Sequence, residues 1–158
     1  MPSKKVLVAD YDRESLKSLG KIFATHKMQV ITATDGQLAY EKYKTEKPDL
    51  IVLEAMLPKL HGFDLTSKIN EETKGSIPII IVTGLYKGAQ YKNEALRSFG
   101  AADYFEKPYD EEKLLASVTR LLSDEPDIDE DLPSPREVIE MLSDQLKERQ
   151  RAHSGPKE

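Results

Sequence analysis

Four polar side chains of different chemistry stand at the ends of short apolar runs in this sequence: Asp10, Glu54, Thr83 and Lys107. A carboxylate such as Glu54, at the end of a run that reads as a buried strand, is costly unless a neighbouring group needs it. Hard carboxylate oxygens suit Mg²⁺, a lysine ammonium can neutralise a phosphate, and a threonine hydroxyl can donate to a phosphoryl oxygen. If these side chains meet, they could hold a divalent cation and a phosphoryl group together.

The elements that would bring these side chains together alternate along the chain. Short β-branched runs without polar alternation predict strands that are covered on both faces. Between them lie stretches with apolar residues at helical spacing. The runs occupy residues 6–9, 30–33, 50–53 and 77–82, with a weaker one at 103–105. Five strands alternating with five helices indicate a doubly wound α/β domain, whose functional crevice lies outside the carboxyl ends of the strands.

The composition limits the class of protein. The chain has 158 residues, of which 39% are hydrophobic and 32% charged, and it contains no Cys and no Trp. Its net charge of −5 argues against a general nucleic-acid binder. The lack of Cys excludes disulfides and Cys-ligated zinc, and no run approaches the roughly 18 apolar residues of a membrane span. The N-terminus does not resemble a signal peptide, so we expect a cytoplasmic protein.

The character of the sequence changes after the predicted domain, which we place at residues 1–123. Six acids and three prolines fall within residues 124–135, which predicts an extended linker, either a solvated spacer or a binding tail. A capping box at residues 134–137 then predicts a helix over 136–152. Contact of this helix with a partner or a second copy, docking on its own domain and simple exposure all stay open. Residues 153–158 are expected to be disordered.

Four segments together resemble the receiver domain of two-component response regulators: "KKVLVADYDRESL", "KPDLIVLEAMLPKLHGFDL", "SIPIIIVTGL" and "FGAADYFEKPYDEEKL". They follow the order and spacing of that family from residue 4 to residue 123. The resemblance implies a flavodoxin-like five-stranded parallel sheet of order 2-1-3-4-5 with helices on both faces. It also implies a phosphorelay, in which an Asp at the end of the third strand accepts a phosphoryl group from a histidine kinase with the help of Mg²⁺.

Five positions of this chain match functional positions of the family. Thr83 and Lys107 match the residues that contact the phosphoryl group, and Tyr104 falls on the switch aromatic. Asp10 matches the first of two acids that hold the metal after the first strand. Met56 occupies the position whose backbone carbonyl completes the metal site, two residues beyond the acceptor.

Two positions depart from the family pattern, and both affect phosphoryl transfer. Tyr11 stands where the second acid belongs, so we expect Mg²⁺ binding to be weakened or absent, although Asp12, displaced by one residue, could compensate. Glu54 stands where the acceptor Asp belongs, and a misplacement of about 1 Å can cost on the order of 100-fold in rate. An ion pair of Glu54 with Lys107 would supply one negative charge against about −1.5 to −2 for a phosphate, which makes it a partial mimic.

The leading interpretation is a pseudo-receiver: a signalling module, not an enzyme, that acts through protein contacts without standard Asp phosphorylation. The resemblance implies an interaction face made of the fourth helix, the fifth strand and the fifth helix. Candidate residues on that face are Tyr91, Leu96, Tyr104 and Tyr109. The alternative is a Mg²⁺-dependent receiver that is phosphorylated by a histidine kinase on Glu54 or on a neighbour such as Asp12. Binding of a nucleotide or small anion ranks last, because the sequence has no Gly-rich phosphate loop.

Two further expectations concern partners and metals. Residues 124–158 are too few for a typical winged-helix domain, so we expect no DNA-binding output in this chain, whereas dimerisation stays open. The three histidines, His26, His61 and His153, are too dispersed to form a metal cluster, and we expect them at the surface.

Overall fold

The computed structural model describes residues 3–123, in which five strands alternate with five helices. The strands are β1 (Lys5–Ala9), β2 (Gln29–Ala33), β3 (Leu50–Leu53), β4 (Ile79–Thr83) and β5 (Asp103–Glu106). The helices are α1 (Arg13–Thr25), α2 (Gly36–Glu46), α3 (Gly62–Thr73), α4 (Ala89–Arg97) and α5 (Glu111–Leu122). All neighbouring strands are parallel, and their order is β2-β1-β3-β4-β5. The predicted fold is confirmed.

Alternate residues of the strands build two cores, one on each face of the sheet. Leu7 and Ile51 point to the face that α2, α3 and α4 cover, where the largest helical contributions include Leu65 and Ile69. Val6, Val8, Leu50 and Val52 point to the opposite face, which α1 and α5 cover. The central strands β1, β3 and β4 are buried on both faces and read as continuous apolar runs, whereas the edge strands β2 and β5 are partly exposed.

Strand β4 begins two residues later than the apolar run 77–82 predicts. Pro78 has no N–H to donate to the ladder, so it precedes the strand, although its carbonyl still accepts a hydrogen bond from the N–H of Ile51 at 3.0 Å. The strand instead extends by one residue at its other end and includes Thr83. Thr83 is therefore the last residue of β4 and lies at the carboxyl edge of the sheet.

The loop between β3 and α3 is held close to the strand end by a glycine. A Cβ added at Gly62 would lie 2.5 Å from the carbonyl oxygen of Glu54 and 2.7 Å from the Cα of Ala55. The N–H of Gly62 donates to the carbonyl of Ala55 at 2.7 Å. Only a residue without a side chain permits this approach, which fixes the backbone directly after Glu54.

Within residues 3–123 no helix is long and apolar enough to cross a membrane. The linker predicted for 124–135, the helix predicted for 136–152 and the tail predicted for 153–158 lie outside the described residues and stay predictions.

Candidate functional site

The carboxyl ends of four adjacent strands bring the predicted site residues together. Asp10 directly follows β1, Glu54 directly follows β3, and Thr83 ends β4, while Lys107 follows the edge strand β5. Asp10, Glu54 and Thr83 are buried, with relative exposures of 1%, 2% and 0%. Because the strands are parallel, four residues that are far apart in sequence share one edge of the sheet.

The Glu54 carboxylate is engaged on both oxygens. Oε2 accepts a hydrogen bond from the backbone N–H of Met56 at 3.2 Å. Oε1 accepts from the backbone N–H of Gly84 at 3.2 Å and from the ammonium of Lys107 at 3.3 Å. A buried carboxylate with backbone and ammonium donors avoids the cost of an unpaired charge. The ion pair that the sequence predicted between Glu54 and Lys107 is present.

Lys107 lies closer to Asp10 than to Glu54. Its Nζ is 2.7 Å from Oδ2 of Asp10, and only 22% of the lysine side chain is exposed. Burial acts to lower the pKa of Lys107, but the hydrogen bond to Asp10 and the charges of Asp10 and Glu54 outweigh it, so the pKa is raised above its ordinary value. The ammonium is shared between two buried acids. We call these three residues, Asp10, Glu54 and Lys107, the acid–lysine cluster.

The two carboxylates after β1 that were expected near a metal both accept hydrogen bonds from the backbone. The second oxygen of Asp10, Oδ1, accepts from the backbone N–H of Asp12 at 2.9 Å. The Asp12 side chain is exposed and caps α1 by accepting from the N–H of Glu14 at 3.0 Å. Across residues 3–123 no group of three His, Cys, Asp or Glu side chains is placed to hold a metal ion. Asp12 therefore serves the helix terminus, and both oxygens of Asp10 are already engaged by protein donors.

Three large hydrophobic side chains next to site residues are exposed. Tyr11, Met56 and Leu85 are the exposed large hydrophobic side chains of the described residues, at 48%, 39% and 58% exposure. Tyr11 follows Asp10 in the chain. The backbone N–H of Met56 donates to Glu54, and the backbone N–H of Leu85 donates to Oγ1 of Thr83 at 3.3 Å. None of these three side chains provides a carboxylate oxygen for a cation.

Thr83 is used within its own loop. Its Oγ1 accepts from the N–H groups of Leu85 and Tyr86, at 3.3 and 3.4 Å. The hydroxyl thereby organises the turn between β4 and α4, which also carries the Gly84 N–H that binds Glu54. The structure thus places Thr83 beside the acid–lysine cluster through the backbone of its loop.

Tyr104 is directed inward. Its side chain is 4% exposed, and its hydroxyl donates to the backbone carbonyl of Tyr86. Burial, followed by the charges of Glu106 and Glu54, raises the pKa of Tyr104 to about 12. Tyr104 thus lies in β5 of the predicted interaction face with its side chain buried beneath the loop after β4, and its contact with a partner stays a prediction.

The other three residues predicted for that face are half-buried and lie on two sides of the sheet. Tyr91 and Leu96 pack against the core beneath α4, whereas Tyr109 packs against the core beneath α1 and α5. The ring of Tyr91 meets the ring of Tyr86 edge-on, with centroids 5.2 Å apart. Tyr91 and Tyr109 thus connect the predicted face to the two hydrophobic cores.

Sequence reasoning missed the role of His61. This residue is half-buried and caps α3, with Nδ1 accepting from the N–H of Phe63 at 3.1 Å. Its Nε2 lies 3.1 Å from the hydroxyl of Tyr86. His26 is exposed as expected, and His153 lies outside the described residues. A signal was present in the sequence, since His61 stands directly before the Gly-Phe pair that opens a predicted helix.

This fold and site define a receiver module of two-component signalling. The family model described as "Response regulator receiver domain" matches residues 6–119, and the chain belongs to that family. Receiver domains are signalling modules rather than classical enzymes; as a class they bind Mg²⁺ and interact with histidine kinases and other proteins.

Individual relatives agree with this assignment. The chain is 38% identical over 121 residues to the alkaline phosphatase synthesis transcriptional regulatory protein PhoP of Bacillus subtilis, a match that covers 76% of this chain and 49% of PhoP. The receiver domain of the Francisella response regulator 1452 has a TM-score of 0.70 and 31% identity, with 76% and 97% of the two chains covered. A CheX–CheY–BeF3–Mg²⁺ complex from Borrelia burgdorferi matches equally well, with a TM-score of 0.70, 31% identity and coverage of 77% and 90%. The chain spans about half the length of the curated relatives it matches.

Proposed function

We propose that this chain is a pseudo-receiver, which signals through protein–protein contacts and does not undergo standard aspartyl phosphorylation. The observation that carries the proposal is the bonding of Glu54. Its carboxylate, at the acceptor position, already binds the lysine that would contact a phosphoryl group, together with the N–H groups of Met56 and Gly84. The Glu54 carboxylate is thus an anion of the chain itself at the position where a receiver would be phosphorylated.

Two features oppose phosphoryl transfer to Glu54. Both carboxylate oxygens already accept hydrogen bonds, and Oε1 also faces the Lys107 ammonium, so the carboxylate is a weaker nucleophile toward a phosphodonor. The longer side chain also places the nucleophilic oxygen differently from that of an Asp, and phosphoryl transfer depends mainly on position and charge neutralisation.

Weakened Mg²⁺ binding follows from the ligand set and belongs to the same proposal. Tyr11 replaces an acid, Asp12 caps a helix, and Asp10 is bound to Lys107 at 2.7 Å. A divalent ion at Asp10 would compete with that ammonium for the same carboxylate. The Met56 carbonyl alone is a weak substitute, because Mg²⁺ sites in proteins are usually built on one or two carboxylates.

The output of the module is proposed to be the face formed by α4, β5 and α5. The buried Tyr104 and the loop bond from Gly88 N–H to Glu106, at 2.6 Å, fix the start of α4 against β5. Since Glu54 holds Gly84 in the same loop, the carboxylate can set the position of this face without a phosphate. A partner protein, such as a histidine kinase or a second copy of this chain, would bind the face in that arrangement.

The test is intact-mass spectrometry after incubation with acetyl phosphate and Mg²⁺. We expect no phosphorylated species in the wild type. The variant Glu54→Asp and the double variant Glu54→Asp/Tyr11→Asp show which departure matters: gain of phosphate in the first assigns the loss to position 54 alone, and gain only in the second assigns it to both positions. A phosphorylated wild type would overturn the proposal in favour of a Mg²⁺-dependent receiver, and peptide mapping would then identify Glu54 or Asp12 as the acceptor.

A further inference from the structure

Five aromatic side chains connect the start of α3 to the loop before α4 and to the residues that follow α4. His61 lies 5.1 Å from Phe63 and 5.5 Å from Tyr86, measured between ring centroids. Phe63 stacks on Phe99 at 5.1 Å and contacts Tyr86 at 5.3 Å, and Tyr86 meets Tyr91. Aromatic pairs at these separations add specific geometry to apolar burial. The array lies beside the acid–lysine cluster but shares no residue with it.

The hydrogen bonds of His61 fix both ring nitrogens. Nδ1 accepts from the backbone N–H of Phe63, so it carries no proton. In a neutral imidazole the proton is then on Nε2, which donates to the hydroxyl oxygen of Tyr86 at 3.1 Å. His26 is in the opposite state, because its Nδ1 lies 2.9 Å from the carbonyl of Ile22 and must donate. The two described histidines therefore hold opposite tautomers.

Tyr86 is bonded in three directions. Its N–H donates to Thr83, its carbonyl accepts from the hydroxyl of Tyr104, and its own hydroxyl accepts from His61. Two residues earlier in the same loop, the N–H of Gly84 binds Glu54. The residue that meets α3 is thus also the residue that covers Tyr104.

We propose that His61 and Tyr86 form a latch, with His61 as a positioning residue that holds the β4–α4 loop over the inward Tyr104. The latch deepens the proposed function, on which its role in signalling rests, because it would keep the α4–β5–α5 face in the arrangement that Glu54 supports through the N–H of Gly84. Release of the latch would leave the ion pairs of Lys107 with Asp10 and Glu54 in place, while the loop that carries the Gly84 N–H and covers Tyr104 loosens.

The first measurement is the tautomeric state of the two histidines by long-range ¹H–¹⁵N NMR correlation, at about pH 8 where imidazoles are neutral. We expect the Nε2–H tautomer for His61 and the Nδ1–H tautomer for His26. In the variant Tyr86→Phe the Nε2 resonance of His61 should move, while that of His26 should not. A solution mixture of tautomers at His61 would contradict the latch.

The second measurement is amide hydrogen exchange at Gly84 and Tyr86. Tyr86→Phe removes the hydroxyl and retains the ring, and His61→Asn keeps an acceptor for the N–H of Phe63 but does not reach Tyr86. Both variants should speed exchange at these two amides about five- to tenfold, the effect of one lost hydrogen bond. Tyr40→Phe is the matched control, since it removes a tyrosine hydroxyl bonded to Glu72 on another part of the surface, and it should leave both amides unchanged.

Unchanged exchange in Tyr86→Phe and His61→Asn would overturn the latch and would not affect the mass-spectrometric result for Glu54. Conversely, phosphorylation of the wild type would overturn the pseudo-receiver and would leave the tautomers and the exchange rates as expected here. The two proposals can therefore fail separately.

Discussion

Two clusters in this domain use a glutamate and a lysine, and their surroundings differ. In the acid–lysine cluster, Glu54 is 2% exposed and takes two of its three donors from the backbone. Between α2 and α3, Glu72 lies at the surface and accepts from the hydroxyl of Tyr40 at 2.6 Å and from Lys44 at 2.9 Å. The hydrogen bond from Tyr40, then that from Lys44, lowers the pKa of Glu72.

The difference shows how position decides what one ion pair can do. The surface cluster is solvated and made of flexible side chains, so it adds little to stability and is screened by salt. The buried cluster is held by backbone groups of three loops, so a change of any charge must move those loops or leave a charge unpaired. Only the buried cluster is placed to set the position of other elements.

The largest test of this contrast is Lys107→Met. It leaves the buried carboxylates of Asp10 and Glu54 without their ammonium, and breaking a buried pair costs about 3–5 kcal/mol. We expect a loss of that order in the free energy of unfolding, measured by urea denaturation at pH 7. Adding Glu54→Gln to the variant should restore part of the loss. A loss below about 1 kcal/mol, as for a surface pair, would show that the cluster is solvated.

The backbone frame of the buried cluster is tested by Gly62→Ala. The new Cβ would lie 2.5 Å from the Glu54 carbonyl, so the loop must shift, at a cost of about 1–3 kcal/mol. Gly20→Ala is the control, because its Cβ would be 3.6 Å from the nearest atom, Cγ1 of Val30, inside helix α1. That substitution should stabilise by about 0.5–1 kcal/mol. Equal effects in urea denaturation would contradict the close approach at Gly62.

Alkaline pH tests the burial of Tyr104. Its pKa is raised from 10.0 to about 12, so the folded protein keeps a proton that the unfolded chain releases. The resulting stabilisation is fully present below pH 10 and is lost as the pH rises toward 12. The advantage of the wild type over Tyr104→Phe should fall by about 1–2 kcal/mol between pH 9 and pH 11.5. A constant difference in denaturation over that range would place Tyr104 in solvent.

The smallest expected effect is the difference in stability loss between Glu54→Gln and Glu72→Gln. Glu54→Gln removes a buried acceptor oxygen and should cost about 1–2 kcal/mol, because a backbone donor loses its partner. Glu72→Gln should cost less than this. Raising the salt to about 1 M should weaken the contribution of Glu72 and leave that of Glu54 nearly unchanged. Parallel salt titrations of the two variants measure the contrast, and identical salt dependence would refute it.

Much of the fold follows from the sequence. Continuous apolar runs separated by segments of helical spacing predict the strands, because a strand buried on both faces has no polar alternation. Burial on both faces holds for β1, β3 and β4, whereas the edge strands β2 and β5 are partly exposed. The run at 103–105 is weak, yet it forms β5 at the sheet edge, and the run at 77–82 is shifted by Pro78, which cannot donate. Order 2-1-3-4-5 came from the resemblance to receivers and not from the spacing of the runs.

The sequence also determined which groups reach the site edge, since residues that directly follow parallel strands share that edge: Asp10, Glu54, Thr83 and Lys107. Only the tertiary structure decided how they pair. Lys107 lies nearer to Asp10, 97 positions away, than to Glu54, and the Thr83 hydroxyl serves its own turn. The side chain of Tyr104 is buried, and the ring of His61 contacts the hydroxyl of Tyr86. A sequence pattern reports the face on which a side chain lies, but differences of less than an ångström among several neighbouring acceptors depend on how the loops pack.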